Sequence, residues 1–305
     1  MIELPESIGK IKHLRYLDVS FTAAKQLSDS ICMLCNLQTL KLLGCKDLVV
    51  LPKDMTKLIN LRHLDIAGTG IMEMPLELGR LKCLQTLTNF FISKKSPCIG
   101  ELGKLTKLRG KLSILKIQNI VSPLDALDAK LKEKYIEELE LEWNALDAKI
   151  SENQETILEC LLPHTNLKSL TINYYNGKNF PVWVGHPSFS NIAFLHLKNC
   201  RHGCSMPPLG QLPSLQDLSV VGFDGVVTVD AEIYGNGSSS IQPFEALKVL
   251  RFEHMLNWEE WVSFVSENEG GAFPNLQELY IKNCPKITGG LPIKLPSLAK
   301  LVCDL

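Results

Sequence analysis

No stretch of this 305-residue chain approaches the ~18 consecutive apolar residues that a membrane-crossing helix needs. Charge of one sign is also missing: 32 basic against 33 acidic residues give a net charge of −1. That balance excludes the strongly basic stripe expected of a nucleic-acid-binding domain. The opening MIELPESIGK carries Glu3, Pro5 and Glu6 where a secretory leader would place basic and then apolar residues. Phosphate-binding G-x-x-x-x-G-K-[ST], zinc-protease H-E-x-x-H and hydrolase G-x-S-x-G motifs are absent. The Gly-Lys pairs led by Gly9, Gly103, Gly110 and Gly177 are never followed by Ser or Thr. No catalytic residue, cofactor or metal site is therefore assigned.

Ten cysteines are present, but they are spread along the chain rather than clustered at its ends. Cys32 and Cys35 form C-x-x-C, and Cys200, His202 and Cys204 form C-x-H-x-C. A zinc site needs paired ligands adding to four, and neither string has a second pair at a suitable distance. Both read as structural. With no disulfide framework in evidence, the expectation is a reduced, cytoplasmic chain.

What the chain has in abundance is one pattern. Leu61, Leu64 and Ile66 follow L-x-x-L-x-L, Thr69 stands three residues on, and Met74-Pro75 closes the unit. The frame recurs at Leu14/Leu17/Val19, Leu37/Leu40/Leu42, Ile136/Leu139/Leu141, Leu167/Leu170/Ile172 and Ile192/Leu195/Leu197. It continues at Leu215/Leu218/Val220, Leu247/Leu250/Phe252, Leu276/Leu279/Ile281 and Leu298/Leu301/Cys303. Repetition at this period is the signature of leucine-rich repeats. The fold class expected is an α/β solenoid of about 11–12 repeats: a horseshoe with a parallel concave sheet and short helices or loops on its convex side. Side chains alternate faces along a strand, so the apolar positions enter the core and the x positions line the concave face.

The chain must turn out of each strand, and buried backbone groups left unpaired there cost on the order of 1–3 kcal/mol each. A small polar side chain at that place bridges adjacent turns: Thr22, Thr69 and Asn144 in some repeats, Cys45, Cys200 and Cys284 in others. The returning half carries an apolar-Pro step at Leu4-Pro5, Leu51-Pro52, Met74-Pro75, Met206-Pro207 and Leu291-Pro292. Proline suits a segment with no sheet partner, and short helices are expected at 52–58 and 75–81. Residues 1–88 are regular, 89–104 read as an irregular junction, and 105–305 hold longer repeats in which the strand near 112–117 has an ambiguous register. Ile157, Leu158, Leu161 and Leu162 fit one helix face. The Gly/Ser stretch 235–240, with a glycosylation sequon at Asn236, reads as a flexible projection.

A solenoid with no catalytic motif points to protein binding through its concave face. Candidates there are Arg15, Tyr16, Lys41, Arg62 and His63 in the early repeats, and Glu138, Glu140 and Glu142 in IEELELEW. Tyr174, Phe194 and Tyr280 follow on later strands, with Trp258 and Trp261 as insert contacts. Aromatic residues and Arg are over-represented among interface hot spots. The basic early end and the Glu-rich centre form an asymmetry able to orient a partner.

Taken in order, LPESIGKIKHLRYLDVSFT, NLQTLKLLGCKDLVVLPKDMTKLINLRHLDIAGT, LGRLKCLQTLTNFF, LRGKLSILKIQNI, LELEW, PPLGQLPSLQDLSV, AEIYG, NWEEW and FPNLQELYIKNCPKITGGLP form a distinctive series. The series resembles the leucine-rich-repeat region of plant coiled-coil nucleotide-binding disease resistance proteins, across nearly the whole chain. That resemblance implies repeats that restrain a nucleotide-binding switch domain and help recognise pathogen effectors or guarded host proteins. No nucleotide-binding domain is present here, so nucleotide binding is not implied. An extracellular receptor or inhibitor ectodomain shares the repeat physics but lacks support in a leader or cysteine-paired caps. A ubiquitin-ligase substrate receptor would need a docking helix bundle before the repeats. The array starts and stops mid-turn, which reads as part of a larger receptor. Expression alone is then expected to give a poorly soluble protein, and a sharply melting monomer in ultracentrifugation and calorimetry would contradict that reading.

Overall fold

A computed structural model describes residues 4–94, 99–145, 153–235, 242–264, 271–288, 290–291 and 294–304. The sequon at Asn236, the Ser residues of the Gly/Ser stretch and Pro292 lie outside the described residues. The chain divides into two compact units, Met1–Leu139 and Glu140–Leu305.

In the first unit, strands Tyr16–Asp18, Thr39–Lys41, His63–Asp65 and Thr86–Leu87 form a parallel sheet in chain order. Leu17, Leu40, Leu64 and Leu87 stand in register. The second apolar place of each repeat thus stacks on its neighbour. Leu40, Leu42, Leu64 and Ile66 are wholly buried, and each such side chain contributes roughly 1.5–3 kcal/mol. The second unit repeats the arrangement with five-residue strands: Ser169–Asn173, Phe194–Lys198, Asp217–Val221, Val249–Glu253, Glu278–Lys282 and Lys300–Asp304. The strand Tyr135–Glu142 crosses the boundary between the units in sequence.

The returning segments are mostly single 3₁₀ turns, at Lys53–Lys57 and Leu78–Arg80 where helices were expected. Pro5 and Pro52 stand just before two of these turns, where a missing N–H leaves nothing unpaired. A true α-helix forms at Gln154–Cys160, burying Ile157, Leu158 and Leu161, while Leu162 is half-buried. Its Gln154 Oε1 accepts a hydrogen bond from Trp143 Nε1, tying helix to strand inside the core.

The ambiguous register near residue 112 resolves as a one-residue slip. Leu87 pairs with Leu64, yet it is Phe90 that pairs with the buried Ile114 of strand Arg109–Leu115. Asn89, at the third apolar place, is polar and stays half-buried. Thr88 bridges the slip: its Oγ1 accepts from Ile66 N at 2.9 Å, and its carbonyl accepts from Ser113 N. Gly110, at φ +79°, supplies the matching kink on the partner strand.

Three devices join successive turns. Cys45 Sγ donates to the carbonyl of Val19 at 3.1 Å, Cys200 to Ile172 at 3.8 Å and Cys284 to Phe252 at 3.8 Å. Each acceptor is the third apolar residue of the preceding repeat. Thr22 and Thr69 instead bond the same carbonyl of their own repeat, Val19 and Ile66, at 2.8 Å. A second device is asparagine before the first apolar place: Asn36, Asn60, Asn191 and Asn275 donate to Lys12, Cys35, Thr165 and Glu245 carbonyls one turn back.

The third device is a left-handed residue two places after the third apolar position. Phe21, Gly44, Gly68, Lys116, Tyr174, Asn199, Gly222, His254 and Asn283 all have positive φ. At Phe21, Gly44, Tyr174, Asn199, Gly222, His254 and Asn283 the backbone N–H extends the ladder past the strand, as from Phe21 to Leu43, Gly44 to Ala67 and His254 to Lys282. A side chain at Gly44 meets the Phe21 ring at 2.6 Å as well as a left-handed backbone. Gly44→Ala is therefore expected to cost at least about 1–2 kcal/mol. His254→Gly should shift stability by less than about 0.5 kcal/mol, because relief of strain offsets the looser unfolded chain. Equilibrium urea melts of the two variants check both values.

Candidate protein-binding surface

The residue enclosed between the second and third apolar places faces away from the core, and its neighbours in register form a line across the sheet. In the second unit this line runs Thr171, His196, Ser219, Arg251, Tyr280, Val302. One flanking line holds Ser169, Phe194, Asp217, Val249, Glu278 and Lys300. The other holds Asn173, Lys198, Val221, Glu253, Lys282 and Asp304.

Tyr280 is the node of this face. The Arg251 guanidinium lies 5.3 Å from its ring centroid, and the Lys282 and Lys300 ammonium groups lie at 5.4 and 5.1 Å. Its hydroxyl donates to Glu278 Oε2. Arg251 also bonds Asp217 Oδ1 at 2.6 Å, whereas Lys282–Glu253 and Lys300–Glu278 stand at 3.8 and 3.9 Å. Burial holds His196 below the ordinary imidazole range, with Lys198 and Arg251 acting in the same direction against Asp217. Its buried Nδ1 has no hydrogen-bond partner. Phe194 is 47% exposed, an apolar side chain beside this polar line.

At the start of the unit Asn173 Nδ2 donates to Glu140 Oε1 at 2.9 Å. Burial raises the Glu142 carboxyl above its usual range, and the neighbouring Glu140 charge adds to the effect. Its Asn173 hydrogen bond only partly opposes this.

On the first unit's sheet, Tyr16 is 53% exposed and its hydroxyl donates to Asp18 Oδ2. Lys41 stands 5.7 Å from the Tyr16 ring, and His63 Nδ1 lies 3.0 Å from Thr86 Oγ1. Asp18 and Asp65 share the outward line with Lys41, so this face is mixed in charge rather than simply basic. Arg15 and Arg62 are exposed one residue before their strands, and their carbonyls accept ladder bonds from the next repeat. Glu138 is exposed, 4.0 Å from Lys111 Nζ.

Two assignments need correction. Trp258 and Trp261 are 0% and 4% exposed and do not serve as insert contacts. They pack against Phe252 at 5.0 and 5.3 Å, and Trp261 Nε1 donates to Tyr234 Oη. A second small parallel sheet, Thr228–Val229 with Glu260–Trp261, holds the long returns that carry them. Tyr174 follows strand Ser169–Asn173 in the left-handed turn, so it does not share the alternation that exposes the face residues. The sequence reading passed over Arg251, His196, Lys282 and Lys300, although the place between the second and third leucines singles out the first two.

Cys200 is wholly buried and Cys204 exposed. Among the described residues no three His, Cys, Asp or Glu side chains are grouped as metal ligands would be. None of the described helices is long and apolar enough to cross a membrane.

Comparison with known proteins follows the same outline. A family model for R13L1/DRL21 leucine-rich repeats matches residues 99–223. A putative disease resistance protein of Arabidopsis thaliana is 42% identical over 96% of this chain, and the putative disease resistance RPP13-like protein 1 of the same plant is 40% identical over 97%. The disease resistance protein RGA2 of Solanum bulbocastanum is 34% identical over 69%. The chain spans only 21%, 29% and 22% of these relatives' lengths. Among solved structures, an internalin (inlF) from Listeria monocytogenes superposes with TM-score 0.58 at 15% identity, covering 99% of this chain and 83% of that one. The functional domain of InlJ from the same bacterium gives 0.59 at 13% identity, covering 97% and 54%. At such identities the likeness shows the leucine-rich-repeat fold alone.

The raised Glu142 carboxyl fixes a pH signature. A carboxyl whose folded pKa exceeds its unfolded value favours the fold when protonated, so stability falls as pH rises through that interval. Glu142→Gln should therefore raise the melting temperature at neutral pH. The gap to the parent should close as pH falls into the ordinary carboxylate range, which thermal melts across that series will show.

Proposed function

The chain belongs to the leucine-rich-repeat family of plant disease resistance proteins, and from that premise we propose that it is the protein-binding repeat region of an intracellular immune receptor. The observation that carries this reading is identity of 40–42% across 96–97% of the chain with two such proteins. In this role the outward lines of the strands meet a pathogen effector or the host protein that an effector alters. Other surfaces of the repeats restrain a nucleotide-binding switch domain of the same receptor. The site of action is the cytoplasm, and the chain performs no chemistry of its own.

The geometry supports such a role in two ways. The backbone that carries the strand face is held by an extended ladder, so little backbone ordering entropy remains to oppose binding. The face also mixes Tyr, Arg and an exposed Phe with charged neighbours, the residue types that dominate binding energy when a partner excludes water.

Charge reversal tests the proposal. Arg62→Glu and Glu140→Lys, introduced into the full-length receptor, should each change effector-triggered cell death or partner co-purification by about tenfold. Unchanged responses in both variants, with normal protein accumulation, would remove the strand face from the function.

A further inference from the structure

We propose that the junction of Arg251 and Tyr280 is the anchor for an aspartate or glutamate side chain of a protein partner. This rests on the reading that the strand face binds protein, and adds which strands and what chemistry. Three observations carry it.

First, the central line from Thr171 through His196, Ser219 and Arg251 to Tyr280 contains no carboxylate. Acidic groups on these strands are confined to the flanking lines, as Asp217, Glu278 and Glu253. A partner descending on the middle of the face meets the Arg251 guanidinium there rather than a carboxylate.

Second, Arg251 is preorganised without being used up. Its bond to Asp217 and its position over the Tyr280 ring fix the guanidinium. A guanidinium carries five N–H donors in a planar fork suited to carboxylates, and the Asp217 bond takes one. The side chain is 31% exposed, so the remaining edge is open to an incoming group.

Third, Lys282 and Lys300 converge on the same ring, and their own carboxylates stand at 3.8 and 3.9 Å, outside hydrogen-bond distance. Such half-exposed pairs are worth little in water. An arriving carboxylate gains two further cations whose own carboxylates are loosely held, Lys300 being also bonded to the Tyr280 side chain.

A basic segment is disfavoured as occupant because Asp217 is already engaged by Arg251 at 2.6 Å and Glu278 by the Tyr280 hydroxyl. Exposed Phe194, on the adjacent flanking line, offers an apolar flank for the rest of the segment.

Random peptides displayed on phage, selected on the immobilised full chain, provide the test. The selected pool is expected to be enriched in Asp and Glu. Synthetic peptides from it should bind at least about tenfold more weakly to Arg251→Glu and to Tyr280→Ala, and lose affinity as salt rises. Should Arg251→Glu fail to fold, Arg251→Gln removes the charge while keeping a donor for Asp217. A pool enriched in Lys or Arg, no selected peptides, or acidic peptides indifferent to both positions would overturn the anchor. Peptides sensitive to Glu140→Lys but not to Arg251 would overturn the anchor and leave the binding face standing. Peptides indifferent to every face variant would count against both.

Discussion

The hydrogen-bonded ladder that runs on past each strand is the constraint on which the rest of the structure depends. A parallel strand has no neighbour in sequence, so its N–H and C=O groups must be matched one whole repeat away. In this chain the matching continues through a left-handed residue, whose N–H reaches the carbonyl of the next turn. Leaving the strand any other way would strand polar backbone beside a core of Leu and Ile. The carbonyl of the third apolar residue sits at the same corner, and cysteine or threonine takes it up. Core, corner and outer face are thus set by one requirement, that every backbone group near the core be paired.

The same constraint sets which side chains stand together on the outer face. Because the register is locked, Arg251 and Tyr280 are neighbours on adjacent strands rather than by chance of side-chain position. Ser219 and His196 follow on the same line. A change of one residue between second and third leucine alters the face without disturbing the core behind it. The residues on the line accordingly differ from repeat to repeat, as Thr171, His196, Arg251 and Tyr280 do.

How much of this was legible in the sequence differs by position. The apolar frame was fully legible, since Leu40, Leu64 and Leu250 are defined by spacing and buried by the fold. The left-handed place was legible only in part: Gly and Asn hold it in several repeats, but Phe21 and Tyr174 also occupy it, and neither is a residue type that favours positive φ. The ladder imposes that conformation, so only pairing across repeats reveals it. The slip at Thr88 was hidden for a related reason, because Phe90, Phe91 and Ile92 form an apolar run compatible with two registers. On the outer face the early residues stood out by type, while Arg251 did not, being one more Arg in a charged chain. Reading the single x between the second and third leucines down the array would have found it.

Trp258 and Trp261 show where composition misleads. Two tryptophans in a long insert suggest an exposed contact loop, because aromatic residues and Arg are prominent in interfaces. Here a longer return must still cover its own side of the core, and bulky rings are the economical way to fill a wider gap between turns. Tyr234, Phe244 and Phe273 complete the cluster, and the hydroxyl of Tyr234 satisfies the Trp261 N–H and is itself satisfied by the Val262 carbonyl. A second strand pair then pins the return in place. Length beyond the regular repeat is in this instance used for packing.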